Sequence, residues 1–265
     1  MILAHIVAAA LIGGLFSLLA AAWLSMHLLS SIVNRLVSLS VGLLLGTAVL
    51  HLIPEAIESK ANIHSMSWVL LGGIVGFFLL EKFAILRHNH HHEGDGHEHH
   101  HGHDHDEAGP GGLLILVGDS IHNFADGVLI AAAFLADVRL GWLTTFAIAA
   151  HEIPQEIGDF IILLNAGFTR RKALLFNGLA SLASVAGGVI GYFALQATEN
   201  LLPYVLMLAV ASFIYIALAD LVPDMHKQSA KGGHGWRDGN TLQQLGLMGL
   251  GVLIVALLTG MMHPH

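Results

Sequence analysis

Two short runs of polar residues lie inside apolar stretches that are each long enough to cross a lipid bilayer. The first run is His122-Asn123-Phe124-Ala125-Asp126-Gly127, and the second is His151-Glu152-Ile153-Pro154-Gln155-Glu156-Ile157-Gly158-Asp159. Imidazole and carboxylate groups are common ligands of divalent metal ions in proteins. The two runs therefore place metal-ligand chemistry where electric charge is energetically unfavourable.

Helical periodicity puts the polar residues of each run on one face of a helix. The two polar stripes consist of Asp119, His122, Asn123 and Asp126, and of His151, Glu152, Gln155, Glu156 and Asp159. Together they carry five carboxylates. At about 2.5 to 3.5 kcal/mol for each charge at the bilayer centre, exposure of the stripes to lipid would cost on the order of 10 kcal/mol. We therefore expect the stripes to face each other, a cation or water.

The composition is that of a polytopic membrane protein rather than of a soluble domain or a disordered chain. The chain has 265 residues, of which 55% are apolar and 11% charged, and its mean hydropathy is +0.70. We predict an all-α polytopic membrane protein that forms a single transmembrane domain over residues 1–265. Its eight transmembrane helices are expected at about 3–26, 36–57, 67–86, 112–136, 141–166, 173–197, 202–225 and 242–262.

The basic residues predict the orientation of the chain. If the N-terminus lies outside, the inner loops and helix ends contain nine of the eleven Lys and Arg residues, and the outer ones contain only Lys60 and Arg139. This asymmetry follows the positive-inside rule and supports the number of spans. Both termini are then outside. The compact chain, without a long outer domain, favours a bacterial inner membrane.

Residues 88–107 form a His-rich tract that the predicted orientation places in the cytoplasm. The tract contains ten His residues among acidic residues and glycines. Such a composition suits a loose chelator of zinc-like metals, although a solvated loop without a role in metal binding is the alternative. We expect no fixed metal site within it.

A five-residue similarity within the chain suggests an inverted repeat. The segment His51-Leu52-Ile53-Pro54-Glu55 near the end of span 2 resembles Asp220-Leu221-Val222-Pro223-Asp224 near the end of span 7. With two helices between the repeats, the spans are arranged as 3+2+3, a plan common among transporters. His51 and Glu55 would then lie at the outer mouth, and Asp220 and Asp224 at the inner mouth. There their side chains would attract cations. The alternative is that they are only interfacial residues at the ends of helices.

Small residues and one proline indicate how the helices pack. The pairs Gly42/Gly46, Gly72/Gly76 and Gly187/Gly191 have the spacing that lets membrane helices approach closely. Pro154 removes the usual hydrogen-bond donor to the carbonyl of Ala150 and bends the helix beside the polar stripe. We expect the freed carbonyl to be available to an ion or to water.

Charge and cysteine content restrict the possible partners. The formal net charge is −8, which suits a cationic substrate, and we expect no nucleic-acid partner. The chain contains no cysteine, which excludes disulfides and thiolate metal sites.

The runs HNFADG and HEIPQEIGD resemble the fourth- and fifth-helix signatures of the ZIP (Zrt/Irt-like) divalent metal transporters. The similarity is greatest to the branch whose fifth helix reads HExPHExGD. The eight predicted spans, the outside termini, the His-rich loop between spans 3 and 4 and the proline-carboxylate ends of spans 2 and 7 agree with this family. The resemblance therefore covers the whole chain.

The resemblance implies a metal site halfway across the membrane. It assigns ligand roles to His122, Asn123, Asp126, His151 and Glu152. Gln155 occupies the position where the branch has a second histidine, and a neutral amide oxygen is a poorer zinc ligand than imidazole. Ser184 falls where some relatives have an acidic ligand, which suggests one well-formed site and a weakened second one. Glu156 and Asp159 are open between metal ligands, carboxylates that orient the histidines and proton acceptors, and Asp119 is expected to be a contact between helices.

The resemblance implies a transporter that moves Zn2+ into the cytoplasm, with Fe2+ and Mn2+ as further candidate substrates. The metal is then a substrate, no cofactor is expected, and the partners are divalent metal ions and the lipid bilayer. Assembly as a homodimer is left open.

Two other classes of protein share features with this sequence. An intramembrane zinc metalloprotease is the main alternative, because His151-Glu152-x-x-Gln155 differs by one residue from the HExxH motif. The missing second histidine and Pro154 argue against an enzyme. A sensor or receptor built on the His-rich tract would leave the buried stripes unexplained.

Deletion of residues 88–107 is expected to leave the protein able to transport metal but to change its response to cytosolic zinc. A flexible tract cannot form part of a pre-organised site in the middle of the membrane. Zinc uptake by cells that express the deletion variant, compared at several cytosolic zinc levels, measures both effects. Complete loss of flux in a correctly folded variant would place the tract in the transport pathway.

Overall fold

The computed structural model describes residues 1–26, 30–59, 61–89, 109–223, 225–226 and 239–262. These residues form helices and contain no strand. The α-helices are α1 (Ile2–Met26), α2 (Ser30–Thr47), α3 (Ile53–Glu58), α4 (Ile63–Asn89), α5 (Gly109–Ala136), α6 (Val138–Asn165), α7 (Arg170–Ala197), α8 (Leu202–Tyr215) and α9 (Gly239–Met262). A π-helical turn, Ala48–Leu52, joins α2 to α3, and a second one, Ile216–Leu221, extends α8.

In the described part of the chain, these elements make eight helical rods, because α2, the π turn and α3 are continuous. Five segments are long and apolar enough to cross a membrane, namely Ile2–Leu24, Ile32–Glu58, Arg170–Ala197, Leu202–Leu221 and Thr241–Gly260. Ile63–Leu79 is a shorter apolar helix. Helices α5 and α6 carry the polar stripes, and each has 28 residues, enough for a core of about 30 Å. The predicted all-α polytopic membrane class is confirmed.

The packing separates the rods into two groups. Helices α1, α5, α6 and α7 pack on one another, whereas α2 packs on α9 and α4 on α8. The two groups meet where α2 packs on α6 and α5 on α8. The contacts follow a symmetric pattern. If α1 is exchanged with α7, α5 with α6, α2 with α8 and α4 with α9, each of these contacts becomes either itself or another contact that is present. This is the pattern that an inverted repeat would produce.

The two proline motifs of the predicted repeat also have the same local structure. A π turn precedes Pro54, and another precedes Pro223. Proline lacks the N–H that would continue the α-helical hydrogen bonds, and π turns occur where that register is interrupted. The inverted repeat stays a prediction, which both the helix contacts and these turns support.

Glycines bring the helices that surround the polar stripes close together. A Cβ atom at Gly187 would collide with the backbone of Phe124 on α5, and one at Gly127 would collide with the backbone of Ser184 on α7. Gly42 on α2 faces the backbone of α9 in the same way. By contrast, Gly72 and Gly76 face open space in the described part of the chain, so the close approach expected at that pair is absent there.

The substitution Gly187→Ala is expected to destabilise the protein by about 1 to 3 kcal/mol, because the added methyl group forces α5 and α7 apart. Gly76→Ala is the matched control, since a Cβ at Gly76 has no neighbour within 4 Å. Thermal unfolding of the detergent-purified variants should show a lower midpoint for Gly187→Ala alone. Equal midpoints for both variants would mean that the contact between α5 and α7 is not tight.

Candidate metal centre

A one-residue connection between α5 and α6 determines where the two polar stripes lie along the helix axes relative to each other. Asp137 is the only residue between the helices, and its side chain caps α6 by accepting hydrogen bonds from the backbone N–H groups of Arg139 and Leu140. Such a short turn makes α5 and α6 antiparallel neighbours. Asp126 and His151 lie 11 and 14 residues from Asp137, which corresponds to about 17 and 21 Å along their helices. The two stripes therefore meet at nearly the same level.

Four side chains of the stripes form a compact cluster. His122 and Asp126 come from α5, and His151 and Glu152 come from α6, and one ligand atom from each lies within 4.8 Å of all the others. The Nε2 atom of His122 is 3.6 Å from Asp126 Oδ2 and 3.8 Å from Glu152 Oε1. The Nε2 atom of His151 is 3.5 Å from Asp126 Oδ2 and 3.5 Å from His122 Nε2.

These distances suit a single metal ion. Ligands at 2.0 to 2.1 Å from a tetrahedral zinc ion are separated from each other by about 3.3 Å. Four of the separations are 3.5 to 3.8 Å, and all the ligand atoms lie within 4.8 Å of one another. The ligand atoms would have to move together by between a few tenths of an ångström and about 1.5 Å to reach that value. Two imidazoles and two carboxylates also form a donor set that zinc accepts without any thiolate.

The cluster is buried, and its oxygen atoms lack hydrogen-bond donors. The side chains of Asp126, His151 and Glu152 are 1%, 1% and 4% exposed, and only His122 retains some access, at 20%. Both carboxylate oxygens of Asp126 and Oε1 of Glu152 are buried without a hydrogen bond among the described residues. A buried carboxylate needs a compensating charge or hydrogen bond, and a divalent cation would supply the charge.

The backbone orients one of the two imidazoles. Nδ1 of His151 lies 3.3 Å from the carbonyl oxygen of Ala147. Because a carbonyl can only accept a hydrogen bond, Nδ1 must carry the proton of this bond. The lone pair of the neutral ring is then on Nε2, the atom that faces the cluster.

Three further predicted ligands lie beside the cluster rather than in it. The amide nitrogen of Asn123 donates to Asp119 Oδ1 at 2.9 Å, and that of Gln155 approaches the same oxygen at 3.4 Å. Asp119 thus connects α5 and α6, as expected for a contact between helices. Glu156 turns towards α7, where its Oε1 accepts a hydrogen bond of 2.7 Å from the hydroxyl of Ser181.

A small cavity next to the cluster is lined by polar and small residues. Asn123, Asp126, Glu152 and Ser184 contribute polar groups, and α1 contributes a wall of glycine and alanine. The hydroxyl of Ser184 donates to the carbonyl of Ser181 at 2.7 Å. Ser184 therefore supplies no carboxylate at the position where the resemblance places an acidic residue in some relatives.

The carbonyl freed by Pro154 has a protein partner. The hydroxyl of Ser40 on α2 donates to the carbonyl oxygen of Ala150 at 2.7 Å. Ser40 therefore takes one of the two hydrogen bonds that this carbonyl can accept, and the availability of the carbonyl to an ion or to water stays a prediction. Nothing in the sequence around Ser40 indicated this contact, because it joins residues 110 positions apart.

Of the residues predicted at the two mouths, His51, Glu55 and Asp220 are not part of the four-residue cluster. His51 is buried, with Nδ1 3.4 Å from the hydroxyl of Thr259 on α9. Glu55 is half-buried, and Asp220 is exposed at the π turn that follows α8. Asp224 lies outside the described residues, as does the His-rich tract beyond Asn89. The roles of these residues as entrance and exit stay predictions.

The fold and the site together define a polytopic membrane protein with a buried cluster of metal-ligating side chains between two helices. A family model described as "ZIP Zinc transporter" matches residues 1–110 and 86–259. The chain belongs to the ZIP zinc transporter family, so the predicted family is confirmed, and with it an integral, multi-pass membrane protein of a metal-transport family.

Individual relatives cover different shares of the chain. Zinc transporter ZIP13 of Danio rerio is 31% identical over 275 aligned positions, which span 85% of this chain and 76% of the relative. Metal cation symporter ZIP14 of Danio rerio is 40% identical over 148 positions, 54% of this chain and 29% of the relative. Zinc transporter ZIP10 of Danio rerio is 36% identical over 144 positions, 54% of this chain. The chain spans 17–19% of the length of the ZIP10 and ZIP6 relatives.

The family and the relatives provide evidence on two predictions made from the sequence, the zinc metalloprotease alternative and the bacterial inner membrane. Membership of a transporter family does not favour the zinc metalloprotease, and Gln155, at the second histidine position of HExxH, contacts Asp119 on the neighbouring helix. The relatives named here are animal proteins, so they do not support a bacterial inner membrane.

The substitution Gln155→His is expected to lower the zinc concentration at which transport is half-maximal, with an equal or lower maximal rate. A third imidazole would tighten zinc binding more than manganese binding, and a more tightly held ion leaves more slowly. Uptake into proteoliposomes with zinc and manganese in competition measures both changes. If neither half-saturation value changes in a well-expressed variant, residue 155 serves only helix packing.

Proposed function

We propose that this protein moves zinc across a membrane into the cytoplasm through the cluster of His122, Asp126, His151 and Glu152. The single observation that carries the proposal is the cluster itself, with four buried ligand atoms within 4.8 Å of one another. Zinc is the substrate in this proposal and not a cofactor. Fe2+ and Mn2+ are further candidate substrates.

The residues around the cluster extend the proposed coordination. Asn123 directly follows His122, and Gln155 lies one helical turn after His151. Both side chains have an amide oxygen. Glu156 is held by Ser181, where its charge adds to the negative potential of the site without contacting the ion. The central site thus combines two imidazoles with an excess of oxygen donors, which suits several divalent metals.

A transported ion must also leave the site, which requires a second state of the protein with lower affinity. The division of the rods into α1, α5, α6 and α7 on one side and α2, α4, α8 and α9 on the other supports a movement of one group against the other. In this proposal the four ligands move together, because all of them belong to the first group. Ser40 on α2 and Ala150 on α6 form one hydrogen bond between the groups, and such contacts would have to be exchanged.

The proposed route runs from the outer face to the cytoplasm. His51 and Glu55 lie towards the outer mouth, and Asp220, Asp224 and the His-rich tract 88–107 lie towards the cytoplasm, with both termini outside. The excess of Lys and Arg in the inner loops supports this orientation. The required partners are divalent metal ions and the bilayer, and the proposal does not depend on a homodimer.

Replacing His122 and His151 together by Ala is expected to reduce zinc uptake to the level of empty vesicles. Both imidazoles would be lost, and two carboxylates alone bind zinc weakly. The measurement is zinc uptake into proteoliposomes that contain equal amounts of folded protein.

His64→Ala is the matched control, because His64 is exposed at the start of α4, away from the cluster. It is expected to transport zinc like the unaltered protein. Normal uptake by the double variant would show that the cluster is not the transport site.

A further inference from the structure

Asp119 is a buried carboxylate that lies outside the four-residue cluster and contacts two of its neighbours. Its residue is 5% exposed. One oxygen, Oδ1, is 2.9 Å from the amide nitrogen of Asn123 on α5 and 3.4 Å from that of Gln155 on α6. The Asn123 amide also reaches the backbone carbonyl of Asp119, at 3.2 Å.

The chemistry of these contacts determines how the two amides are turned. Oδ1 of Asp119 accepts a hydrogen bond from each amide, so both amides present their NH2 groups to Asp119. The carbonyl oxygen of each amide then points away from Asp119. Asn123 also lines the small cavity beside Asp126 and Glu152, two residues of the four-residue cluster.

We propose that Asp119 is a positioning residue that turns the amide oxygens of Asn123 and Gln155 towards the transported metal ion. By doing so it lets the site bind Mn2+ as well as Zn2+. This inference rests on the proposed function. The two amide oxygens add to the two imidazoles and two carboxylates of the cluster. Zinc is satisfied by four ligands, whereas Mn2+ prefers six oxygen-rich ligands. Asp119 therefore matters more for manganese than for zinc.

The substitution Asp119→Leu tests the proposal, because leucine has a similar size and no hydrogen-bond acceptor. Without the acceptor the amides are free to rotate and present NH2 groups to the ion. The affinity of the purified, full-length protein for Mn2+ is expected to fall by about tenfold, with a smaller loss for Zn2+. Competition with a fluorescent chelator measures both affinities. The decisive quantity is their ratio, which a general loss of packing would leave unchanged.

Asp119→Asn is the conservative variant. Its side-chain oxygen still accepts the two amide hydrogen bonds, and its new NH2 group takes the place of Oδ2, which has no hydrogen-bond partner among the described residues. The manganese-to-zinc affinity ratio is therefore expected to stay near that of the unaltered protein. A ratio as low as that of Asp119→Leu would assign the effect to the negative charge and overturn the proposal.

Combined substitutions test whether Asp119 acts through the amides. Asn123→Leu and Gln155→Leu are each expected to lower the ratio of manganese affinity to zinc affinity. In a variant that carries both of these substitutions, the addition of Asp119→Leu should lower the ratio no further. An additional loss in that background would overturn the proposal. The two amide variants keep Asp119 intact, so an unchanged ratio in both would overturn it even if Asp119→Leu did not fold.

The outcomes also separate this inference from the proposed function. If the unaltered protein moves no zinc into vesicles, the proposed function fails. If it moves zinc and the variant without His122 and His151 does not, the proposed function holds. An unchanged metal ratio in Asp119→Leu would then overturn the role of Asp119 alone.

Discussion

The charge of carboxylates inside an apolar helical bundle is the constraint on which the rest of this structure depends. Asp126 and Glu152 expose almost none of their surface, and three of their oxygens accept no hydrogen bond among the described residues. In a medium of low dielectric constant such groups are stable only beside a positive charge or when protonated. The fold brings two imidazoles to the same point. In the function that we propose, this unfavourable arrangement becomes affinity for a cation.

The backbone makes this arrangement possible through close contacts. Asp137 joins α5 and α6 by a single residue, so that their polar stripes meet at one level. Behind the stripes, Gly127 and Gly187 allow α5 and α7 to touch through their backbones. Residues with larger side chains at these two positions would separate the helices. The close packing behind the site thus depends on residues that have no side chain to bind a metal.

The amide groups next to the cluster give the site a different character from one built only on histidine. Gln155 stands where the branch that the chain resembles has a histidine, and its amide is bonded to Asp119 rather than to the cluster. In the network that we propose, the carboxylate of Asp119 holds the two amides, and their neutral oxygens would lie close to the ion without adding further charge. Neutral oxygen ligands bind divalent metals more weakly than imidazole or carboxylate. For a transporter, which must release what it binds, moderate affinity is an advantage.

The apolar runs and their helical periodicity determined the class of the protein from the sequence alone. The motifs HNFADG and HEIPQEIGD determined the family by resemblance, and with it a set of candidate ligands that includes the four residues of the cluster. Runs and motifs of this kind are local features of the chain. The sequence did not reveal that Ser40 donates a hydrogen bond to the Ala150 carbonyl, which Pro154 leaves without its helical donor. Nor did it reveal that Glu156 accepts a hydrogen bond from Ser181, or that Gly72 and Gly76 face no described neighbour. Each of these depends on which faces of distant helices come into contact. Periodicity defines a face of a helix but not the helix that covers it, since lipid and protein are equally apolar surroundings. Only the tertiary structure, by bringing α2, α6 and α7 together, decided those partners.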